Sequence, residues 1–257
     1  MLTGAQAWIW RCLLYLTLST LLPGCVSQQR LDQETVAATS VPAHRGTTIA
    51  LLGGTGMVGG HILKQALAEG YQLRVLSRSP QKFDYLGDRI TVIVGDARDL
   101  EVIRRLVQGS DVIISAIGPG SKSSPRLNST VSSNVLDAMA PGNGQRYLVV
   151  SGAGVTAPTD ELSFTGWMVR QLALIRYPTL LQDRQLEYSL LASSEHNWTV
   201  ARCPLIESKE ASTSASVSLS TPGGYTLTAG SLARFLLEEI SEPGYKRTAP
   251  FVYGGSD

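Results

Sequence analysis

Between the apolar run Thr48-Ile49-Ala50-Leu51-Leu52 and the amphipathic stretch from Val58 to Glu69 lies Gly53-Gly54-Thr55-Gly56-Met57-Val58-Gly59-Gly60. Gly70 closes that stretch, and a second apolar run, Gln72 to Ser77, follows it. Strand, glycine turn, helix and strand in this order read as a βαβ unit. A pyrophosphate needs several backbone N–H donors at close range and the positive end of a helix, and residues without Cβ let the chain come that close. Gly53 is expected to make the tight turn out of the strand, Gly56 to allow the close backbone approach, and Gly59 to bring the helix onto the sheet. Thr55, Met57 and Val58 complete the cradle. The residues therefore predict a site for the pyrophosphate of a nicotinamide dinucleotide; a glycine turn used for packing alone is the plainer alternative.

The remaining chain repeats the alternation. Apolar runs at Thr91–Val94, Asp111–Ile117, Tyr147–Ser151 and Trp198–Ala201 predict further strands. Helical spacing appears over Leu100–Gln108, Ser129–Ala140, Gln182–Ser193 and Ser231–Ile240. Strands so uniformly apolar are covered on both faces, so the predicted fold is α/β: one doubly wound, Rossmann-type parallel sheet with helices on both sides, spanning residues 47–257. Ser208 to Ser220, rich in small polar residues, reads as a mobile loop, a hairpin over the site or a plain surface excursion. A chain of 257 residues can bury one sizeable core without a second domain. Its formal net charge of +1 offers no surplus for a polyanion, so nucleic acid is not an expected partner. His44, His61 and His196 are scattered without metal-ligand spacing.

The first residues carry a different signal. Arg11 precedes a charge-free apolar run from Cys12 to Leu22, too short to span a bilayer but suited to the core of a signal peptide. The run ends in Leu21-Leu22-Pro23-Gly24-Cys25, which resembles a bacterial lipobox with Cys25 as the lipidated thiol. Residues 1–24 are thus expected to be a signal peptide and 25–46 a polar tether, giving an exported lipoprotein attached to the membrane through its lipid. An uncleaved anchor and a cytoplasmic protein beginning near Thr47 are the other readings. Asn128-Ser129-Thr130 and Asn197-Trp198-Thr199 are glycosylation sequons only in a host that glycosylates, which the lipobox argues against.

The GxxGxxG spacing with Thr55 inside it resembles the extended and atypical short-chain dehydrogenase/reductases, especially the NAD(P)H-binding group that includes flavin reductase-like and NmrA-like proteins. The resemblance extends over residues 48–253 or so. It implies that Asp96 and Ala97, in Val94-Gly95-Asp96-Ala97-Arg98-Asp99, address the adenine, while Asp99 caps the next helix. It also implies that Ala116, Ile117 and Gly118 border the ribose and nicotinamide. Where an NAD-preferring relative has a carboxylate after the second strand, this chain has Arg78, which favours the 2′-phosphate of NADP, with NAD as the other possibility. Ser151 takes the position of the serine that holds the substrate oxygen. The tyrosine and lysine four residues apart that typical relatives use are missing: Leu181, Ala192 and Ala229 stand four residues after Tyr177, Tyr188 and Tyr225. Many atypical relatives place a lysine on the later helix, where this chain has Asp183 or Arg184, before a strand ending in Arg202-Cys203-Pro204. The resemblance thus implies an NADPH-dependent reductase of a small carbonyl, quinone or flavin, or else a non-catalytic dinucleotide sensor or membrane-tethered interaction module.

Overall fold

A computed structural model describes residues 46–118, 125–140, 142, 144–161, 164–211 and 213–254. The expected signal peptide, Cys25 and the tether up to residue 45 lie outside the described residues. Ten strands are described: β1 (Thr48–Leu52), β2 (Gln72–Ser77), β3 (Thr91–Val94), β4 (Val112–Ser115), β5 (Arg146–Gly152), β6 (Asn197–Cys203), β7 (Leu205–Glu207), β8 (Ser216–Ser218), β9 (Thr226–Thr228) and β10 (Phe251–Tyr253). The helices are α1 (Met57–Ala68), α2 (Leu100–Val107), α3 (Leu127–Ala138), α4 (Phe164–Arg176), α5 (Pro178–Ser193) and α6 (Ala229–Ser241). The main sheet runs β3-β2-β1-β4-β5-β6-β10-β8, with all pairs parallel except β10 with β8. The strand order reverses between β1 and β4, which opens a crevice at their carboxyl ends.

Alternation along the strands divides the core. Ile49 and Leu51 face one side with Val75, Ile114 and Leu148, where α1 and α6 cover them. Ala50 and Leu52 face the other with Ile113, Val149 and Val200, under α2, α3 and α5. The predicted two-faced parallel sheet is therefore observed. β2 and β3 match the sequence-derived spans, whereas the run from Asp111 to Ile117 pairs as a strand only over Val112–Ser115. The periodicity did not reveal β7, β9, β10, α4 or the 3₁₀ segment Pro80–Arg89. Each of these strands is three residues long, too short for a period-two pattern to register. Ser208–Ser220 is neither a free loop nor a self-paired hairpin: its β8 part adds an antiparallel edge to β10.

Two buried charge clusters fix helices to the sheet. Arg146, at the start of β5, donates to Glu239 Oε2 (3.1 Å), to the Glu239 carbonyl and to Thr199 Oγ1 (3.2 Å). Glu239 also accepts the amides of Gly244 and Tyr245, so the carboxyl end of α6 is held against the sheet. The second cluster begins with Asp183 on α5. No side chain at Arg126 caps α3, and Asp183 supplies the cap from another helix. It accepts the amides of Asn128 (2.8 Å) and Ser129 (3.0 Å), the Asn128 side-chain amide (2.9 Å) and the Ser129 hydroxyl (2.6 Å). A carboxylate at a helix amino terminus is favoured by the unpaired amides and the helix dipole. Among the described residues no helix is long and apolar enough to cross a membrane.

Asp183→Ala is expected to lower the unfolding free energy by about 3 kcal/mol, because four donors lose their acceptor in a buried place. Urea denaturation followed by far-ultraviolet circular dichroism measures the loss; a change under about 1 kcal/mol would show that the cap does not hold α3.

Candidate functional site

The turn after β1 is built from close approaches. Gly53 has φ +84° and carries its α-carbon so near β4 that a Cβ would meet the Ala116 carbonyl oxygen at 2.6 Å. Gly59, one turn into α1, is tighter still: a Cβ there would stand 2.1 Å from the Gly53 carbonyl oxygen. At Gly56 it would come within 3.1 Å of the same oxygen, to which the Gly56 amide donates at 2.9 Å. Gly56 is the amino-terminal cap of α1, with no side-chain cap bond and no acidic residue in the first turn. Thr55, Gly56 and Met57 are exposed, whereas Val58 turns its side chain into the core and can offer only its backbone. The turn thus combines an uncapped helix end, exposed backbone and no Cβ to bar an anion, which is the chemistry a pyrophosphate requires.

Further residues reach the same crevice from neighbouring strand ends. Arg78, after β2, is exposed, and its guanidinium makes no hydrogen bond or ion pair among the described residues, although its charge helps to stabilise the Asp96 carboxylate. The following residues form the 3₁₀ segment. Asp96, after β3, accepts from the backbone and guanidinium of Arg98 at 2.7–3.0 Å, and these hydrogen bonds hold its carboxyl down at about 2. Ala97 is half-buried beside it, and Asp99 caps α2 as expected, accepting from the amides of Glu101 and Val102. Ala116 is buried against Gly53, Ile117 is half-buried and Gly118 exposed at the exit of β4.

Ser151 lies near the carboxyl end of β5, in register with Arg202 of β6. It is 5% exposed, and its hydroxyl is buried without a hydrogen-bond partner among the described residues. Two more orphaned polar atoms adjoin this strand end: Arg202 Nη2 and Asp160 Oδ1. Arg202 is otherwise well held. Its guanidinium donates to Asp160 Oδ2 (2.7 Å), the Val155 carbonyl (3.1 Å) and the Ala249 carbonyl (2.6 Å), and it lies 3.6 Å from the centre of the Phe251 ring. It thereby fixes the turn that follows Ser151. Unmatched buried polar atoms are uncommon in folded proteins and call for a water or a ligand group.

The helix that bears a lysine in many relatives is organised differently here. Asp183 is consumed by capping α3. Arg184, its neighbour, is 6% exposed and donates to Glu187 Oε2 (2.7 Å) and to the carbonyl of Ile117 (2.6 Å). Glu187 in turn accepts from Ser132, which shares a hydrogen bond with the Tyr147 hydroxyl. Burial, then the nearby Glu187 charge, push the Tyr147 hydroxyl far above its ordinary range, so this tyrosine holds its proton. Arg184 therefore orients the backbone at the β4 exit and has its charge matched by Glu187. Sequence spacing identifies Asp183 and Arg184 as replacements but not their partners, which stand 55 and 67 residues earlier. Cys203 is buried, which raises its thiol to about 12 and makes it unreactive. Among the described residues, no group of three or more His, Cys, Asp or Glu could hold a metal ion.

Solved structures share this architecture. An anaerobilin reductase from Escherichia coli O157:H7 superposes with a TM-score of 0.65 at 20% identity, over 80% of this chain and 97% of that one. A candidate NADH-flavin reductase from Streptococcus pneumoniae gives 0.67 at 20% identity, over 81% and 99%. A short-chain dehydrogenase/reductase from Veillonella parvula, solved in complex with NADP, gives 0.67 at 14% identity, over 81% and 94%. At these identities the likeness shows the fold. The sequence itself matches the NAD(P)H-binding family model over residues 53–243. With the glycine cradle, the reversed strand order and a match over most of its length, the chain belongs to the NAD(P)H-binding family.

Proposed function

We propose that this protein is an NADPH-dependent reductase of a small carbonyl, quinone or flavin, and the observation that carries the proposal is the buried, unpartnered hydroxyl of Ser151 near the end of β5. The cofactor's chemistry is hydride donation from its reduced nicotinamide. The chain supplies the binding and the polar groups. Backbone amides from Gly53 to Gly59 hold the pyrophosphate, Asp96 and Ala97 border the adenine, and Ala116, Ile117 and Gly118 leave room for the ribose and nicotinamide. Arg78, whose guanidinium has no ion-pair partner among the described residues, meets the 2′-phosphate. Ser151 donates its hydrogen bond to the substrate oxygen, where negative charge develops, and recovers the partner it lacks. No tyrosine–lysine pair delivers the proton; water supplies it, which suits quinones and flavins because their reduced forms exchange protons readily with solvent.

A second reading has a specific observation in its favour. With Arg184 tied to Glu187 and the Ile117 carbonyl, and Asp183 to α3, the usual proton-donating position is occupied by structural groups. A dinucleotide-binding sensor or a membrane-tethered interaction module would need nothing more. Stereospecifically deuterated NADPH offered with quinones, flavins and carbonyls separates the two: deuterium found in any product supports the reductase, and none across the panel supports the sensor.

Ser151→Ala is expected to lower kcat about a hundredfold while leaving the NADPH dissociation constant within about twofold of the parent. Unchanged kcat would remove Ser151 from the reaction. Arg78→Ala should weaken NADPH binding by about 10- to 100-fold and leave NADH binding alone, as titration calorimetry can read. Equal losses for both cofactors would refute the NADP preference. The exported, lipid-anchored location belongs to the proposal as well: cells fed a fatty-acid analogue should label the protein, and Cys25→Ala should abolish the label. Persistent labelling of that variant would overturn the anchor.

A further inference from the structure

Helix α4 presents a surface that the cofactor site does not use. From Leu162 to Gln182 the sequence contains two arginines, Arg170 and Arg176, and no aspartate or glutamate. Met168 and Ile175 stand seven residues apart, and so on one face of the helix. They are 45% and 79% exposed, with Trp167 49% and Tyr177 52% exposed beside them. The Arg176 guanidinium lies over the Tyr177 ring at 4.8 Å. The helix packs on α5. An outward helix face in a water-surrounded domain is ordinarily polar and of mixed charge; this one offers large apolar and aromatic groups with the exposed Arg176 beside them.

We propose that α4 docks the domain on the surface of a bilayer containing anionic phospholipid. Headgroup phosphates match Arg176; Met168 and Ile175 enter the acyl boundary, and the Trp167 and Tyr177 rings take the interfacial level that amphipathic aromatic side chains favour. A second copy of the chain fits less well, because a twofold contact through this face would set arginine against arginine with no carboxylate between them. The inference does not depend on lipidation of Cys25.

The position of α4 gives the docking a consequence. Arg170 Nε donates to the Gly154 carbonyl (3.3 Å), in the turn that directly follows Ser151 and β5. Docking therefore brings the Ser151 end of the sheet to the membrane, and a quinone or carbonyl dissolved in the lipid becomes the favoured substrate class. This last step rests on the reductase reading; the docking surface does not.

The test uses the full chain carrying Trp8→Phe and Trp10→Phe, which leaves Trp167 and Trp198 as the only tryptophans. Trp198 is 3% exposed and out of reach of lipid. With phosphatidylglycerol vesicles bearing brominated acyl chains, the Trp167 emission should shift to the blue and be quenched, and adding Trp167→Phe should remove the quenching. The double variant Met168→Glu, Ile175→Glu should abolish it, with far-ultraviolet circular dichroism confirming the fold. Arg176→Gln, a milder change, should weaken vesicle partitioning about fivefold, and added salt should weaken it further. Trp167 left unquenched on vesicles overturns the proposal even if the chain is bound through its amino-terminal end. So does Trp167 emission already blue-shifted without lipid in a sedimenting dimer that Ile175→Glu dissociates, which would identify a second copy as the occupant. None of these readings requires turnover, so docking can fail while the reductase stands, or stand while the reductase fails.

Discussion

The glycine turn depends on a close approach between Gly59 of α1 and the carbonyl oxygen of Gly53 just after β1, where a methyl group would have to sit 2.1 Å away. That approach sets the distance between the first helix and the sheet. The same turn brings Gly53 against the Ala116 carbonyl of β4, so the two strands that flank the reversal of order are also fixed there. Helix amides, strand ends and the β4 exit converge because three backbones come closer than side chains would permit. At this turn the end of α1 has no side-chain cap, so what it offers an anion is backbone.

On α5 the fold places a set of buried charges. Asp183 supplies the α3 cap that its own sequence lacks, Arg184 aligns the Ile117 carbonyl, and Glu187 balances Arg184. Removing one member of such a set is costly because the others remain buried, which makes the set a rigid support for the β4 exit. Arg202 does comparable work on the other side of Ser151 by tying Asp160 and Val155 to the end of β6. Ser151, in register with Arg202, has a hydroxyl without a partner among the described residues, and Arg202 Nη2 and Asp160 Oδ1 share that condition. In the proposed reading these unmatched polar atoms at the end of β5 are the ones that meet the substrate oxygen.

Much of the fold was legible because parallel, doubly covered strands give long apolar runs, and helices on a sheet give a clear 3.6-residue period. β1, β2, β3 and α2 can be located nearly to the residue, and the glycine spacing identifies the cradle before any contact is known. The short strands β7, β9 and β10 escape such reading, since three residues carry no period. α4 escapes it for a different reason: the amphipathic contrast that marks a helix is blurred where the outward face is itself apolar.

What the sequence determined by itself is the class of fold, the glycine spacing of the first turn and the absence of the tyrosine–lysine pair, because these depend on local spacing and residue identity. Only the tertiary structure decided which groups answer that absence. Asp183 accepts from Asn128, 55 residues away, Arg184 reaches the Ile117 carbonyl, 67 residues away, and the Ser151 hydroxyl is buried without a mate among the described residues. Hydrogen-bond partnership and burial arise from segments that meet through packing of the sheet, and no periodicity along one segment records which distant segment it will meet.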